Sequence, residues 1–339
     1  VSVPNYPQLI QPLTIDAEAR ERLRIMFIAK HALWGGGLHP DDGNHAIYHH
    51  EVRTILEGLG LNLTLANSFE ALWRRPEVDF VFPLLNRAGF LNSEMLAPLL
   101  CTRHGIPFLG ASPILRGLSD DKHLAKRAAE AAGVPTAPWA IYRRGAPVTA
   151  DRHPPADRWV IKPNASSASW GVHDATDWPA IRAAIEEIHA EGHDAIVEPF
   201  VVGSDVEVPV ITIGDPVILP MMIFRQADPS HLRTYYEKRD LVDRADKYSL
   251  DAFEDEGIAA MIAGFTARLW REYRPFDYGR FEFRLNEETG EVRFLELNLN
   301  ANLWSEKVFG RAAKLAGLTQ AQLIETILAD SLRRHGLMR

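Results

Sequence analysis

Two segments near the end of the chain, GRFEFRLN (279–286) and EVRFLELNLNAN (291–302), alternate apolar and polar residues with a period of two. That period belongs to strands with one buried face, and NEETGE (286–291) between them predicts a hairpin. With 287–291 as the turn, Asn286 pairs with Val292, Arg284 with Phe294, Glu282 with Glu296 and Arg280 with Asn298. If the second strand runs to its end, Glu296, Asn298, Asn300 and Asn302 share one face.

This register sets two acids side by side, and like charges opposite each other destabilise a sheet. A hard divalent cation would neutralise them: Mg2+ takes carboxylate, amide and phosphate oxygens. The same spacing suits a solvated hairpin face with the acids paired to Arg280 and Arg284, so the hairpin alone leaves both readings open.

Composition narrows the rest. A net charge of −8 over 339 residues argues against a broad basic surface for nucleic acid. Cys101 is the only cysteine, so a disulfide framework and a Cys-based zinc cluster are both excluded. The first residues show no basic-then-apolar signal pattern, and the apolar stretch 208–224 is broken by Gly214, Asp215, Pro216 and Pro220. These features predict a cytoplasmic protein with no membrane partner.

Strand-like LRIMFIAK (23–30), LNLTLA (61–66), VDFVFPLL (78–85) and IPFLGAS (106–112) alternate with helical 46–60 and 93–105. This is the order of a parallel α/β lobe. A helix over 118–138 is expected to be capped by Ser119 or Asp120 and stopped by Gly133 and Pro135. RWVIKP (158–163) leads into the small-residue loop NASSASWG (164–171), where backbone N–H groups, serine hydroxyls and Lys162 can meet phosphate oxygens. A surface turn has the same composition. Lys122 falls in the first helical turn, where the macrodipole disfavours a cation. Glu198 and Asp205 sit at strand ends, where a carboxylate can bind ribose hydroxyls.

In order along the chain, DKHLAKRAAEAAGVPTAP, VIKPNASSASWGV, IVEPFVVGSDVEVPVI, the carboxylate hairpin and LIETIL resemble the ATP-grasp superfamily, and within it the D-alanine–D-alanine ligases. The resemblance runs from about residue 78 to 330. It implies an α/β protein with α+β lobes: an N-terminal extension (1–20), a parallel pre-ATP-grasp domain (21–115), a central ATP-grasp subdomain (116–193) and a C-terminal subdomain with the metal site (194–339). The implied activity is ATP-dependent ligation of a carboxylate to an amine through an acyl phosphate, on small-molecule substrates. A homodimer stays open.

The resemblance also implies roles. Lys122, Lys162, Ser167 and Ser169 would meet ATP phosphates. Glu198, the backbone of Phe200 and Val201, and Asp205 would hold adenine and ribose. Glu282, Glu296 and Asn298 would bind two Mg2+ ions, or Mn2+ in their place. Arg280 would face the acyl phosphate, and Lys238 or its neighbour Arg239 the γ-phosphate.

The substrate loops depart from the family. HALWGGGLHPDDGNHA lacks the acidic SAERE-type segment, LLNRAGFLNSE (84–94) replaces HGxxGEDG, and NLNANLW puts Ala301 and Asn302 where Pro and Gly are usual. Ser167 and Ala168 replace a glycine and a serine of the phosphate loop. The expected substrates are therefore not two D-alanines, with Trp34, Asn300 and Asn302 as candidate contacts and Trp170 and Trp304 nearby. An ATP-grasp kinase, or a genuine D-alanine–D-alanine ligase with altered loops, would fit the same nucleotide motifs.

Overall fold

The computed structural model describes residues 10–85, 93–166, 169–232, 234–238, 242 and 248–339. Three sheets organise them. In the first lobe β1 (Arg24–Ile28), β2 (Asn62–Ala66) and β3 (Phe80–Pro83) are parallel in the order β2-β1-β3. IPFLGAS adds only a parallel bridge, Phe108 to Val81, where a full strand was expected. Strands β1 and β3 are short apolar runs buried on both faces, as the inner part of a parallel sheet requires, while β2 at the edge is partly exposed.

The central sheet is antiparallel, with β4 (Ala140–Tyr142), β5 (Trp159–Pro163), β6 (His173–Ala175) and β7 (Ala195–Pro199) in the order β4-β7-β5-β6. Helix Trp178–Ala190 covers it, burying Ile181, Ile185 and Ile188 at helical spacing against Trp159, Ile161 and Val197. A boundary at 194 would cut β7 away from this sheet.

The third sheet holds β8 (Ser204–Ile213), β9 (Asp215–Ile218), β10 (Met222–Gln226), β11 (Tyr248–Ala252), β12 (Tyr278–Asn286) and β13 (Glu291–Asn298). Its order is β11-β10-β8-β12-β13, with β9 also on β8. Val206, Val208, Phe281, Phe283, Phe294 and Leu297 bury one face, against Ile262 and Leu269 of helix Glu256–Tyr273. The opposite face is polar around Asp205, Glu207, Arg280, Glu282 and Glu296, while Ile211, Met222, Phe224, Leu250 and Tyr278 on it join the core of the first lobe.

The first lobe and the end of the chain share one core. Phe27, Tyr48, Val52 and Phe82 pack with Leu323, Ile324, Ile327, Leu328 and Leu332 of helix Gln320–Arg334. Asp277, almost wholly buried, locks the junction: its carboxylate accepts Gly110 N–H (2.6 Å), Ser331 Oγ (2.7 Å) and Arg334 Nε (2.9 Å). No helix among the described residues is long and apolar enough to cross a membrane.

The expected helix 118–138 is two helices, Pro113–Asp120 and Lys122–Ala131. Ser119 and Asp120 belong to the first. The cap is Asp121, whose side chain accepts Leu124 N–H at 2.9 Å. Pro113 at the first position started a helix earlier than the sequence pattern suggested.

Gly203 opens β8 with φ +139°, and a Cβ there would lie 2.1 Å from the Leu285 carbonyl oxygen. Gly203→Ala is expected to destabilise by roughly 3 kcal/mol or more. Gly214→Ala, where a Cβ meets nothing within 4 Å, should lose only about 1 kcal/mol. Urea denaturation midpoints of the two variants measure the difference.

Candidate active site

The polar face of the third sheet carries a row of three acids. Glu282 pairs in register with Glu207 on β8 and with Glu296 on β13. Arg280, on the same face, reaches two of them, with Nε 3.0 Å from Glu207 Oε2 and 2.9 Å from Glu282 Oε1. Burial opposes the charge on the guanidinium, but Glu207 and Glu282 outweigh it and hold Arg280 more firmly protonated than usual. Burial, with Glu296 and Glu207 alongside, pushes the Glu282 carboxyl up despite Arg280. Glu296 goes the other way: burial would raise it, but Lys122, Lys162, Lys238 and Arg280 together pull it down.

The register at this row is the expected one, Glu282 with Glu296 and Arg280 with Asn298. Nearer the turn it differs, because Arg284 pairs with Arg293 and Asn286 with Glu291. A β-bulge absorbs the difference: Phe283 pairs with Phe294, leaving Leu295 as the extra residue. The bulge brings Leu295 to the same cavity wall as Glu296, which strict alternation would forbid.

Lysines approach the row from the central sheet and its neighbouring helix. Lys122, at the start of its helix, donates from Nζ to Ser166 O (2.6 Å) and lies 3.9 Å from Glu296. Asn164, fully buried, ties that helix to the loop after β5 by accepting the His123 N–H on Oδ1 and the Lys122 N–H on its carbonyl, both at 2.9 Å. Lys162 Nζ is 2.7 Å from Glu198 Oε2 and Lys126 Nζ 2.8 Å from Glu198 Oε1. Burial would raise the Glu198 carboxyl, but the two ammonium groups hold it down to about 2. For Lys162 burial is likewise outweighed, by Glu198, so its ammonium is stabilised.

Two cavities open on this ground. The first is lined by Lys122, Lys162, Ser166, Ser169, Glu198 and Phe200, with Val201, Leu295 and others. The second lies between the first lobe and the third sheet, against Asn44, His45, Tyr48, Arg280, Asn298 and Lys307. Asn300 and Asn302 line it too. Asp205, Lys238, Glu282 and Glu296 belong to both walls.

Several expected contacts are engaged differently. Asp205 accepts from Arg284 at 2.8 Å, and Arg284 also donates to the Val201 carbonyl at 2.9 Å. The Phe200 N–H donates to Arg158 O, and the Arg158 guanidinium lies 4.0 Å from the Phe200 ring centre. Trp34 is not in either wall; its indole N–H donates to Gly37 O and its ring meets His39 edge-on. Trp170 packs on His193, and Trp304 carries Lys307 over its ring. Ser167, Ala168, Arg239 and 86–92 of the LLNRAGFLNSE stretch lie outside the described residues.

The expected common face for the four polar residues of β13 ends early, since the strand stops at Asn298. Asn298 Oδ1 accepts Asn300 N–H at 2.9 Å and Asn302 Oδ1 accepts Trp304 N–H at 2.8 Å. Each is an Asx turn, which reverses the chain without Pro or Gly. The turns still leave Asn298, Asn300 and Asn302 on one cavity wall.

Lys126 and Glu207 were not anticipated, and Arg284, expected beside the hairpin acids, pairs with Asp205. Lys126 stands four residues after Lys122, on the same helical side, and Glu207 two residues after Asp205 on an alternating strand. Both spacings were visible. As a metal set, Glu282, Glu296 and Asn298 offer two carboxylates and one amide oxygen. No group of three or more His, Cys, Asp or Glu suited to a metal occurs among the described residues. All three donors are hard oxygen ligands, and the two carboxylates stand opposite each other in register, so the set fits Mg2+.

A family model described as "D-ala D-ala ligase C-terminus" matches residues 129–329, more than half of the chain. The D-alanine–D-alanine ligase of Lactobacillus delbrueckii subsp. bulgaricus is 27% identical over 289 residues, 80% of this chain and 76% of that protein. An uncharacterised Sinorhizobium fredii protein is 27% identical over 239 residues, 70% of each. The crystal structure of the Bacillus anthracis D-alanine–D-alanine ligase complexed with ATP superimposes with a TM-score of 0.71 at 16% identity, covering 93% of this chain and 99% of that one. The fold is that of the ATP-grasp ligases, and the chain belongs to the D-ala D-ala ligase C-terminus family.

Proposed function

We propose that the protein is an ATP-dependent carboxylate–amine ligase acting on amino-acid or peptide substrates other than two D-alanines. One observation carries the reading: the lysine-lined cavity and the second, polar cavity share Asp205, Lys238, Glu282 and Glu296 as a common wall. A γ-phosphate held at that wall from one side meets a carboxylate bound on the other. Proximity and charge neutralisation then carry the catalysis, without a nucleophilic side chain.

The first cavity takes ATP, with Lys122 and Lys162 toward the phosphates and Lys238 at the γ-phosphate end. Glu282, Glu296 and Asn298 would hold Mg2+, which screens the phosphate charge from the attacking carboxylate. The substrate carboxylate oxygen bonds to the γ-phosphorus as the bond to the bridging oxygen breaks, releasing ADP. The amine nitrogen then bonds to the acyl carbon, the carbon–oxygen bond to phosphate breaks, and inorganic phosphate and a proton leave. Arg280, kept cationic by Glu207 and Glu282, faces the negative charge that builds in both steps.

The altered substrate loops support the change in substrate. The wall supplied by the first lobe is Asn44, His45, Tyr48 and Leu84, an amide, an imidazole, a phenol and an alkyl chain. Among the described residues this wall brings no carboxylate to receive an ammonium.

Incubation with ATP, Mg2+ and pools of amino acids or short peptides should release phosphate only when an amine is present and yield a condensed mass. Phosphate-bearing product without an amine would favour a kinase, and no turnover with any pool would sink the reading. Glu296→Gln is expected to lower turnover by about 100-fold or more, with an unchanged circular dichroism spectrum. Turnover at the wild-type level would remove Glu296 from the metal site. Asn302→Ala should raise KM for the amine about tenfold and leave KM for ATP within about twofold; steady-state kinetics in each substrate separate the two.

A further inference from the structure

Lys126 is fully buried one helical turn beyond Lys122. Its ammonium forms an ion pair with Glu198 Oε1 (2.8 Å) and donates to Thr136 Oγ1 (2.6 Å) and Ala137 O (3.1 Å). Lys126 does not line the first cavity. Lys162 differs: its Nζ holds the other Glu198 oxygen at 2.7 Å and lines the first cavity. Two ammonium groups and one carboxylate leave a single net positive charge, and of the two ammonium groups Lys162 is the one that lines the cavity, beside Glu198.

We propose that Lys126 is a positioning residue, which neutralises Glu198 from behind so that Lys162 presents both its net charge and its remaining N–H groups to anionic oxygens in the cavity. This rests on the reading that ATP phosphates lie near Lys162. Without Lys126, Glu198 and Lys162 become a neutral pair. The carboxylate can then take a second hydrogen bond from Lys162 and draw it away from the cavity. Thr136 extends the effect: its hydroxyl accepts from Lys126 and donates to Phe294 O at 2.9 Å, one residue before the Leu295 bulge.

Isothermal titration of the full chain with ATP, ADP and adenosine tests this. Lys126→Met should weaken ATP and ADP about tenfold while adenosine binding changes less than twofold. Lys126→Gln, which keeps donors without charge, should do the same and serves if the Met variant fails to fold. Lys126→Arg should restore most of the loss. The double variant Lys126→Met/Glu198→Gln should bind ATP more tightly than Lys126→Met alone, because Lys162 is released. Equal losses for ATP and adenosine, wild-type ATP affinity in Lys126→Met, or a double variant weaker than the single would each overturn the proposal. Wild-type protein that fails to bind ATP would instead overturn the nucleotide reading on which it rests.

Discussion

Three carboxylates in one row across three adjacent strands, with one arginine between them, is the constraint around which the rest is arranged. Glu207, Glu282 and Glu296 cannot drift apart, because their strands are held in register by the apolar rows behind them. A one-residue slip would turn Phe281 and Phe283 to water and the acids into the core. The repulsion therefore has to be met by cations from elsewhere. Arg280 supplies one from within the row, and Lys122, Lys162 and Lys238 supply others from outside the hairpin. Buried acids that lose their partners are strongly destabilising, so the surrounding elements are tied to the sheet by charge as well as by packing.

That dependence explains why the central lobe is attached where it is. Lys122 and the Asn164 loop meet at the helix start, and Thr136 bridges to Phe294. Both attachments lie within reach of the row. The first lobe arrives by a different route, through the final helix and Asp277, and contributes Asn44, His45 and Tyr48 to the second cavity.

The carboxylate hairpin was legible because a period of two needs only local sequence. Its register was legible at Glu282 and Glu296 but not at the turn, since one inserted residue, Leu295, restores the pairing from either side and leaves no compositional mark. Ser119 and Asp120 looked like caps because small polar residues favour that place, and the helix begun by Pro113 absorbed them. Asn298 and Asn302 were legible as polar residues beside the site, but their turns depend on the strand ending at 298. Asn44 and His45 were legible only as members of the loop HALWGGGLHPDDGNHA, which the family resemblance sets at the substrate, and Tyr48 was not legible as a pocket residue at all. They come from the start of a helix some 250 positions away from Asn298, and no local pattern joins the two.

The shared core of the first lobe and helix Gln320–Arg334 has a consequence for synthesis. Phe27, Tyr48, Val52 and Phe82 all precede Leu323 to Leu332, on which they pack, by more than half of the chain. The Gly110 N–H likewise waits for Asp277. The lobe built on Phe27 and Phe82 thus leaves the ribosome with an apolar face whose cover, the helix Gln320–Arg334, is still to be made. Domains usually complete in the order they are translated; here the lobe that precedes the other two is closed after them.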